Sequence, residues 1–282
     1  QRTTSLPRAM MENQIQLLGN SGAEINIYLE RGKPVLKKKF RNTSEVEFCV
    51  QMHRSKEYGR SPKIIRYDER SVYMEYIGGK VGSQIIKQAE ADEMRCLIKG
   101  LRIFIEHNLS MSSFADISLT RINKLSLINK NIPEHLCYFK KYVDYAHEQI
   151  VEQKNLQTPI GRCHGDLTLA NIILDRTNFY FIDYLDGYLK SPIVDIAKLI
   201  QEFIFGWSCR YDHYKYNLRC KYILNEIISY IDKSCIRLVD VKIETIITIL
   251  RIIPYIKDRR TEKWVSKTLE RLARGEDFIY WE

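Results

Sequence analysis

Three polar residues, Asp166, Asn171 and Asp183, stand at the edges of two short apolar segments that are predicted as strands, Asn171 to Leu174 and Phe179 to Ile182. Asp and Asn offer hard oxygen atoms, which are the ligands that Mg²⁺ prefers. Phosphoryl transfer needs such a set, because one carboxylate must take the proton of the attacking hydroxyl while a second carboxylate and an amide oxygen hold Mg²⁺ against the phosphates. The pattern therefore indicates phosphoryl-transfer chemistry.

The segment from Cys163 to Asp175 resembles the catalytic loop of the protein-kinase-like superfamily, His-x-Asp-x-x-x-x-Asn followed by a metal-binding Asp. It is most similar to the aminoglycoside phosphotransferase and choline kinase group, which carries His-Gly-Asp and Ile-Asp. The matching residues here are His164-Gly165-Asp166 and Ile182-Asp183.

The resemblance implies roles for individual residues. It implies that Asp166 is the catalytic base, that Asn171 and Asp183 bind Mg²⁺, and that His164 buttresses the loop. The segment from Ser191 to Ala197 resembles the one that follows the loop in this group, in which the Asp, here Asp195, stabilises the loop.

A kinase also needs a cation on the α- and β-phosphates. Lys37, Lys38 and Lys39 follow one another on a predicted strand. Alternation puts Lys37 and Lys39 on the face of Val35, with Lys38 on the opposite face. Lys37 best fits the Val-x-Lys pattern of the group, and Lys39 is the alternative in phase with it.

A glutamate on the following helix is expected to hold this lysine in place. Glu47 and Glu45 are the candidates. Glu47 is preferred, because it begins the run Glu47 to Val50, where the group usually places its acid.

Two further segments resemble nucleotide-binding parts of the group. Gly19, Asn20, Ser21 and Gly22 lie where the phosphate-covering loop belongs, and glycine lets backbone N–H groups approach phosphates. The full G-x-G-x-x-G pattern is absent, so an ordinary hairpin turn is the alternative. The residues that resemble the hinge, where backbone groups would pair with the purine edge of ATP or GTP, are Glu75, Tyr76 and Ile77.

These residues need a scaffold of two parts. Five strand-like segments with one inserted helix precede residue 78, and the rest is mainly helical apart from the two strands of the loop region. We therefore expect an α+β, protein-kinase-like fold with two lobes. Residues 1–78 would form an antiparallel nucleotide-binding lobe, and residues 79–282 a catalytic and acceptor-binding lobe.

The acceptor is expected to be a small molecule. Protein Ser/Thr kinases place Lys two residues after the catalytic Asp, where this chain has Thr168, and few residues separate Asp183 from Pro192, which leaves no platform for a peptide. A protein Ser/Thr kinase remains the first rival.

The helical C-terminal part should form the acceptor pocket. It is rich in aromatic and cationic residues: Phe203, Phe205, Trp207, Tyr211, Tyr214, Tyr216, Arg251, Tyr255, Lys257, Arg259, Arg260 and Trp264. Acids are sparse there, with Asp186 and Asp212 as candidates. The stretch from Leu250 to Tyr255 resembles kinases of capsule or other cell-envelope saccharides, so a sugar or a saccharide precursor is expected. An aminoglycoside or a choline-type amino alcohol is the alternative.

Composition limits the other classes of function that the protein could have. The net charge of the 282 residues is +9, which attracts anions such as nucleotides, but no nucleic-acid recognition motif accompanies it. The seven cysteines form no C-x-x-C pair, and no apolar run reaches the roughly 18–20 residues of a membrane span. We expect a cytoplasmic protein without membrane insertion. A pseudokinase, which binds nucleotide without catalysis, is disfavoured because the base, both metal ligands and a lysine are present.

Overall fold

The chain forms two compact units. The computed structural model describes residues 15–18, 24–54, 60–88, 90–153, 157–211, 217–229 and 236–275. The first unit comprises the residues up to Gly79 together with Tyr180–Asp183, and the second comprises Lys80–Phe179 and the chain from Tyr184 onward. The expected boundary at residue 78 lies one residue earlier. The sequence did not indicate that residues 180–183 belong with the first unit.

In the residues that the structure describes, the first unit consists of an antiparallel sheet and one helix. Its strand order is β1-β2-β3-β5-β4, and every neighbouring pair is antiparallel. The strands are β1 (Ile15–Leu18), β2 (Glu24–Glu30), β3 (Lys33–Lys39), β4 (Ile64–Tyr67) and β5 (Ser71–Glu75), and the helix α1 (Thr43–Arg54) is inserted between β3 and β4. The expected N-terminal arrangement of five strands and one helix is confirmed.

The core of the first unit lies between α1 and the sheet. Val46, Cys49 and Val50 of α1 are buried against Val72 and Met74 of β5. The partly buried residues packed on this cluster are Leu36, Phe40 and Ile64. Because side chains alternate along a strand, the face of β3 that carries Leu36 is also the face of its lysine at position 38.

The second unit is mainly helical. Its helices are α2 (Gly82–Gln88), α3 (Ala91–Ser110), α4 (Ser118–Asn131), α5 (Lys140–Glu152), α6 (Pro192–Phe203), α7 (Asn217–Ile228), α8 (Leu238–Leu250) and α9 (Arg259–Arg274). The remaining strands of the described chain are β6 (Lys80–Val81), β7 (Ser113–Asp116), β8 (Gln157–Ile160), β9 (Ile172–Asp175) and β10 (Asn178–Phe181), and the last two residues of β10 are assigned to the first unit. β7 pairs with β8, and a three-stranded sheet has the order β10-β9-β6. Within the described residues, no helix is both long and apolar enough to cross a membrane.

The helical region departs from the sequence pattern near residue 90. The pattern predicts one helix from Gln84 to His107, whereas the structure contains α2 and α3. The carboxylate of Glu93 accepts a hydrogen bond from the backbone N–H of Glu90 at 3.2 Å, as in a capping box. This local bond starts a new helix within a continuous apolar pattern.

Helix α6 forms the centre of the second unit. Eleven of its residues are buried, and Lys198 is only partly buried. Ser191 caps its start by accepting the N–H of Ile193 at 3.2 Å, and Pro192 occupies the first turn, where its missing N–H costs nothing. A capped and buried helix therefore supports the motif residues.

Candidate active site

The backbone of the His164-Gly165-Asp166 loop is held by a buried carboxylate on α6. The N–H groups of His164 and Gly165 donate to the two oxygens of Asp195 at 2.7 and 2.9 Å. Asp195 is fully buried, and burial raises its pKa to about 7, although the two N–H donors act in the opposite direction. Asp195 therefore ties the backbone of the loop to α6.

Glycine at position 165 is required by two features of the loop. Its φ is +80°, in the left-handed region, and a Cβ there would lie 2.2 Å from the backbone oxygen of Leu185. The N–H of Leu185 donates to the oxygen of His164 at 2.9 Å, which fixes this close approach. The loop and the segment after Asp183 therefore pack backbone against backbone.

The side chain of Asp166 has two polar partners. The amide nitrogen of Asn171 donates to the backbone oxygen of Asp166 at 2.8 Å and to its Oδ2 at 3.0 Å. The amine of Lys198 lies 3.0 Å from Oδ1. Because the nitrogen of Asn171 faces Asp166, the amide oxygen is the atom that can ligate a cation.

The environment of Asp166 keeps its carboxyl ionised. Burial acts to raise the pKa of Asp166, but the charge and hydrogen bond of Lys198, with smaller contributions from His164 and Arg251, hold the pKa below its ordinary value. A carboxylate that is ionised near neutral pH can accept a hydrogen bond and a proton.

Helix α6 organises the loop through side chains spaced three and four residues apart. Asp195 holds the backbone of the loop, Lys198 holds Asp166, and Glu202 accepts the N–H of Leu169 at 3.2 Å. Residues at this spacing share one face of a helix. Lys198 was missed in the sequence; its signal is a lysine inside the apolar run of α6, three residues after Asp195.

His164 is wedged beneath the loop. It is fully buried, and its ring stacks on Tyr184 with centroids 4.5 Å apart. Its Nδ1 accepts the backbone N–H of Asp166 at 3.3 Å. The ring thus supports the backbone of Asp166, which suits the buttressing role that the resemblance implies.

The first unit carries an ion pair between Lys38 and Asp183. Lys38 Nζ lies 2.7 Å from Asp183 Oδ1, and the two side chains are 13% and 42% exposed. Asp183 has φ +59°, a left-handed conformation that Asp tolerates better than most residues. A strained, exposed carboxylate beside a nearly buried lysine is typical of a functional site.

This geometry differs from the expectation for the lysine. Lys37 extends over the ring of Tyr73, 5.4 Å from its centroid, and Lys39 pairs with Glu24 at 3.1 Å. The alternation along β3 is as predicted, but Lys38 rather than Lys37 or Lys39 meets Asp183. The difference arises from tertiary packing, because α1 and the segment 180–183 cover the face of β3 that carries Lys38. The Val-x-Lys pattern instead selects Lys37, on the opposite face.

The expected ion pair between a lysine of β3 and a glutamate of α1 is not formed. Glu45 binds Arg41 at 2.7 Å instead. Glu47 is exposed, and within the described part of the chain it forms no ion pair.

The remaining nucleotide-binding candidates are only partly described. Gly19, Asn20, Ser21 and Gly22 lie outside the described residues. Glu75 ends β5, and its N–H donates to the oxygen of Lys63 at 2.9 Å, so this N–H is already bonded. Tyr76 is exposed and Ile77 is buried.

The aromatic residues expected around an acceptor fall into different classes. Phe203 and Phe205 are buried in the core, whereas Trp207 and Trp264 contact each other edge to face at 5.0 Å. Asp212, Tyr214 and Tyr216 lie outside the described residues.

Comparison with known proteins identifies the family and the fold of the chain. Residues 45–220 match the model of the phosphotransferase enzyme family. Among curated protein sequences, none matches the chain at a significant level.

Solved structures show the same fold at low sequence identity. A gentamicin complex of APH(2'')-IIa has a TM-score of 0.62 and 14% identity over 99% of both chains. An ethanolamine kinase of Plasmodium vivax has a TM-score of 0.56 and 13% identity, covering 96% of this chain and 85% of that one. A putative fructosamine-3-kinase from Thermobifida fusca has a TM-score of 0.56 and 13% identity over 94% of both chains. At such identities the likeness establishes the kinase-like fold.

Proposed function

The chain belongs to the phosphotransferase enzyme family and is a small-molecule kinase, and we propose that it transfers the γ-phosphoryl group of ATP or GTP to a hydroxyl of a sugar or a cell-envelope saccharide precursor. The observation that carries the proposal is the carboxylate of Asp166, oriented by Asn171 and kept ionised by Lys198. The net charge of +9 disfavours a polycationic acceptor such as an aminoglycoside.

Asp166 acts as the base in this proposal. Its carboxylate accepts the hydrogen bond of the acceptor hydroxyl and takes the proton as the oxygen attacks phosphorus. Asn171 and Lys198 fix the direction of the carboxylate, and Asp195 and His164 fix the backbone that carries it.

The donor side uses hard oxygen ligands and a cation. Asn171 and Asp183 fit Mg²⁺, because an amide oxygen and an exposed carboxylate are the donor types that this ion takes. Bound Mg²⁺ would neutralise charge on the phosphates. Lys38, rather than Lys37, is the residue proposed to contact the α- and β-phosphates, because it is the lysine of β3 beside Asp183.

The roles are tested first by a screen of nucleotide consumption over sugars, amino alcohols, aminoglycosides and protein substrates. Asp166→Asn should abolish turnover of the acceptor found and leave Mg²⁺–nucleotide binding nearly intact, because it removes the base alone. Asp183→Ala should weaken nucleotide binding that depends on Mg²⁺. Full activity of Asp166→Asn would refute its role as base.

A matched pair of lysine variants separates Lys38 from its neighbour. Lys38→Met should lower nucleotide affinity about tenfold or more, the effect of losing a charge-assisted hydrogen bond. Lys37→Met should leave the affinity unchanged, because Lys37 lies over Tyr73. The reverse result would restore the sequence-based assignment.

A further inference from the structure

A tyrosine of the second unit is anchored at its hydroxyl end by a buried ionic cluster. Tyr188 Oη donates to Glu244 Oε1 at 2.6 Å. Glu244 also accepts from Arg121 Nε at 3.2 Å, and the same guanidinium binds Asp240. Arg121, Asp240 and Glu244 are all buried. Both acids are already paired with Arg121.

Two cations from different helices lie near the ring of Tyr188. Lys124 Nζ of α4 is 5.4 Å from the ring centroid, and Arg251 Cζ at the end of α8 is 5.9 Å from it. Both side chains are partly buried. Within the described part of the chain, neither forms an ion pair with an acid.

The two cations act on each other. Burial lowers the pKa of Lys124, and the charge of Arg251 lowers it further. Two half-buried like charges that form no ion pair within the described residues repel each other, and a bound anion would relieve that repulsion. An arrangement of this kind favours a ligand with negative charge over one with positive charge.

The cluster lies beside the catalytic loop. Tyr188 belongs to the segment that follows Tyr184 and Leu185, which stack on and hydrogen-bond to His164. The charge of Arg251 also reaches Asp166, whose pKa it helps to lower. A group held at Lys124 and Arg251 would thus lie close to the proposed base.

We propose that Lys124 and Arg251, ordered by the ring of Tyr188, bind an anionic group of the acceptor, a phosphate monoester or a carboxylate, and so place its hydroxyl at Asp166. This inference rests on the proposed function, since it names the chemical class of the molecule that the kinase phosphorylates. A planar guanidinium matches either anion with paired hydrogen bonds, and the ammonium adds a compact charge.

The test measures binding rather than turnover, so it remains informative if no acceptor is turned over. The protein is saturated with Mg²⁺ and a non-hydrolysable ATP analogue, which fills the donor site. It is then titrated calorimetrically at constant ionic strength with inorganic phosphate, a hexose 6-phosphate, a hexuronic acid and the neutral hexose. The variants are Lys124→Gln with Arg251→Gln, and Lys124→Gln alone in case the pair impairs folding. The matched control is Lys130→Gln with Arg274→Gln, two exposed cations on α4 and α9.

The wild type and the control should bind at least one anionic probe more tightly than the neutral hexose. The Lys124 and Arg251 variants should lose about tenfold or more of that affinity while binding the nucleotide analogue normally. Preference for the phosphates or for the hexuronic acid identifies the anion. Equal affinity for neutral and anionic sugars, or anion binding that survives in both variants, would overturn the inference. A failed screen for turnover, with anion binding still dependent on these cations, would instead count against the proposed function.

Discussion

Replacing Lys198 by Met should raise the pKa of Asp166. The lysine amine lies 3.0 Å from Asp166 Oδ1, and the two side chains are 12% and 34% exposed. Burial by itself raises the pKa of this carboxyl, and the charge and hydrogen bond of Lys198 are the largest effects that lower it. Met has nearly the same length and helix propensity, so α6 should keep its packing.

The size of the shift follows from the contact. A hydrogen bond to a charged group contributes about 1.5–3 kcal/mol, and one pKa unit corresponds to about 1.4 kcal/mol. Because Asp166 is a third exposed and solvent screens the pair, we take the lower end, about 1.5 kcal/mol, as the stabilisation of the carboxylate that is lost, so the pKa of Asp166 should rise. The sign is fixed, since loss of a cation favours the neutral acid.

The shift can be measured without knowing the acceptor. Carboxyl carbons of ¹³C-labelled aspartate are titrated by NMR, and Asp166→Asn identifies the signal. Lys190→Met is the control, because Lys190 is exposed and pairs with Asp186 at 3.5 Å. Once an acceptor is known, the acid limb of kcat/KM should move to higher pH by the same amount. An unchanged or lowered pKa of Asp166 in a folded Lys198→Met protein would refute the coupling.

Three further predictions concern the scaffold of the site and are read by thermal and denaturant unfolding. Gly165→Ala should lower the free energy of unfolding by about 3 kcal/mol and remove most activity, because the added Cβ would lie 2.2 Å from a backbone oxygen. Gly206 is also left-handed but lies in open space, so Gly206→Ala should lower the free energy of unfolding by only about 1 kcal/mol. Equal losses in the two variants would contradict the steric argument. Ser191→Ala should lower the free energy of unfolding by about 1–2 kcal/mol, because it removes the cap of α6 and the hydrogen bond of a buried hydroxyl. Ser191→Thr should recover part of this loss. An unchanged unfolding midpoint in Ser191→Ala would show that the cap is dispensable. Arg121→Met should lower the free energy of unfolding by about 3–5 kcal/mol, because it leaves two buried carboxylates without their cation. Lys130→Met, on the same helix, is the neutral control. A loss below about 1 kcal/mol would show that the carboxylates take up protons instead.

Part of the site depends on residues that are close together in the sequence. The spacing of Asp166 and Asn171 sets a hydrogen bond within one loop, and the structure contains it at 3.0 Å. Ser191 caps α6 and Pro192 is its first residue, so the start of this helix is specified by two adjacent residues. Such features depend on residues close in sequence, so a single chain can reveal them.

Other features required the packed molecule. Lys198 is 32 residues from Asp166 and looks in sequence like one more cation on a helix. Its contact depends on the burial of α6 behind the loop. The pairing of Tyr188 with Glu244 and the approach of Lys124 and Arg251 also join residues far apart along the chain.

The sequence alone determined the phosphoryl-transfer chemistry and the α+β kinase-like fold, because strand alternation and a short loop motif are local properties of the chain. Tertiary structure decided which lysine of β3 meets Asp183. Alternation separates two faces of a strand equally well for Lys37 and Lys38, and only the packing of α1 and the return of residues 180–183 enclose one of those faces.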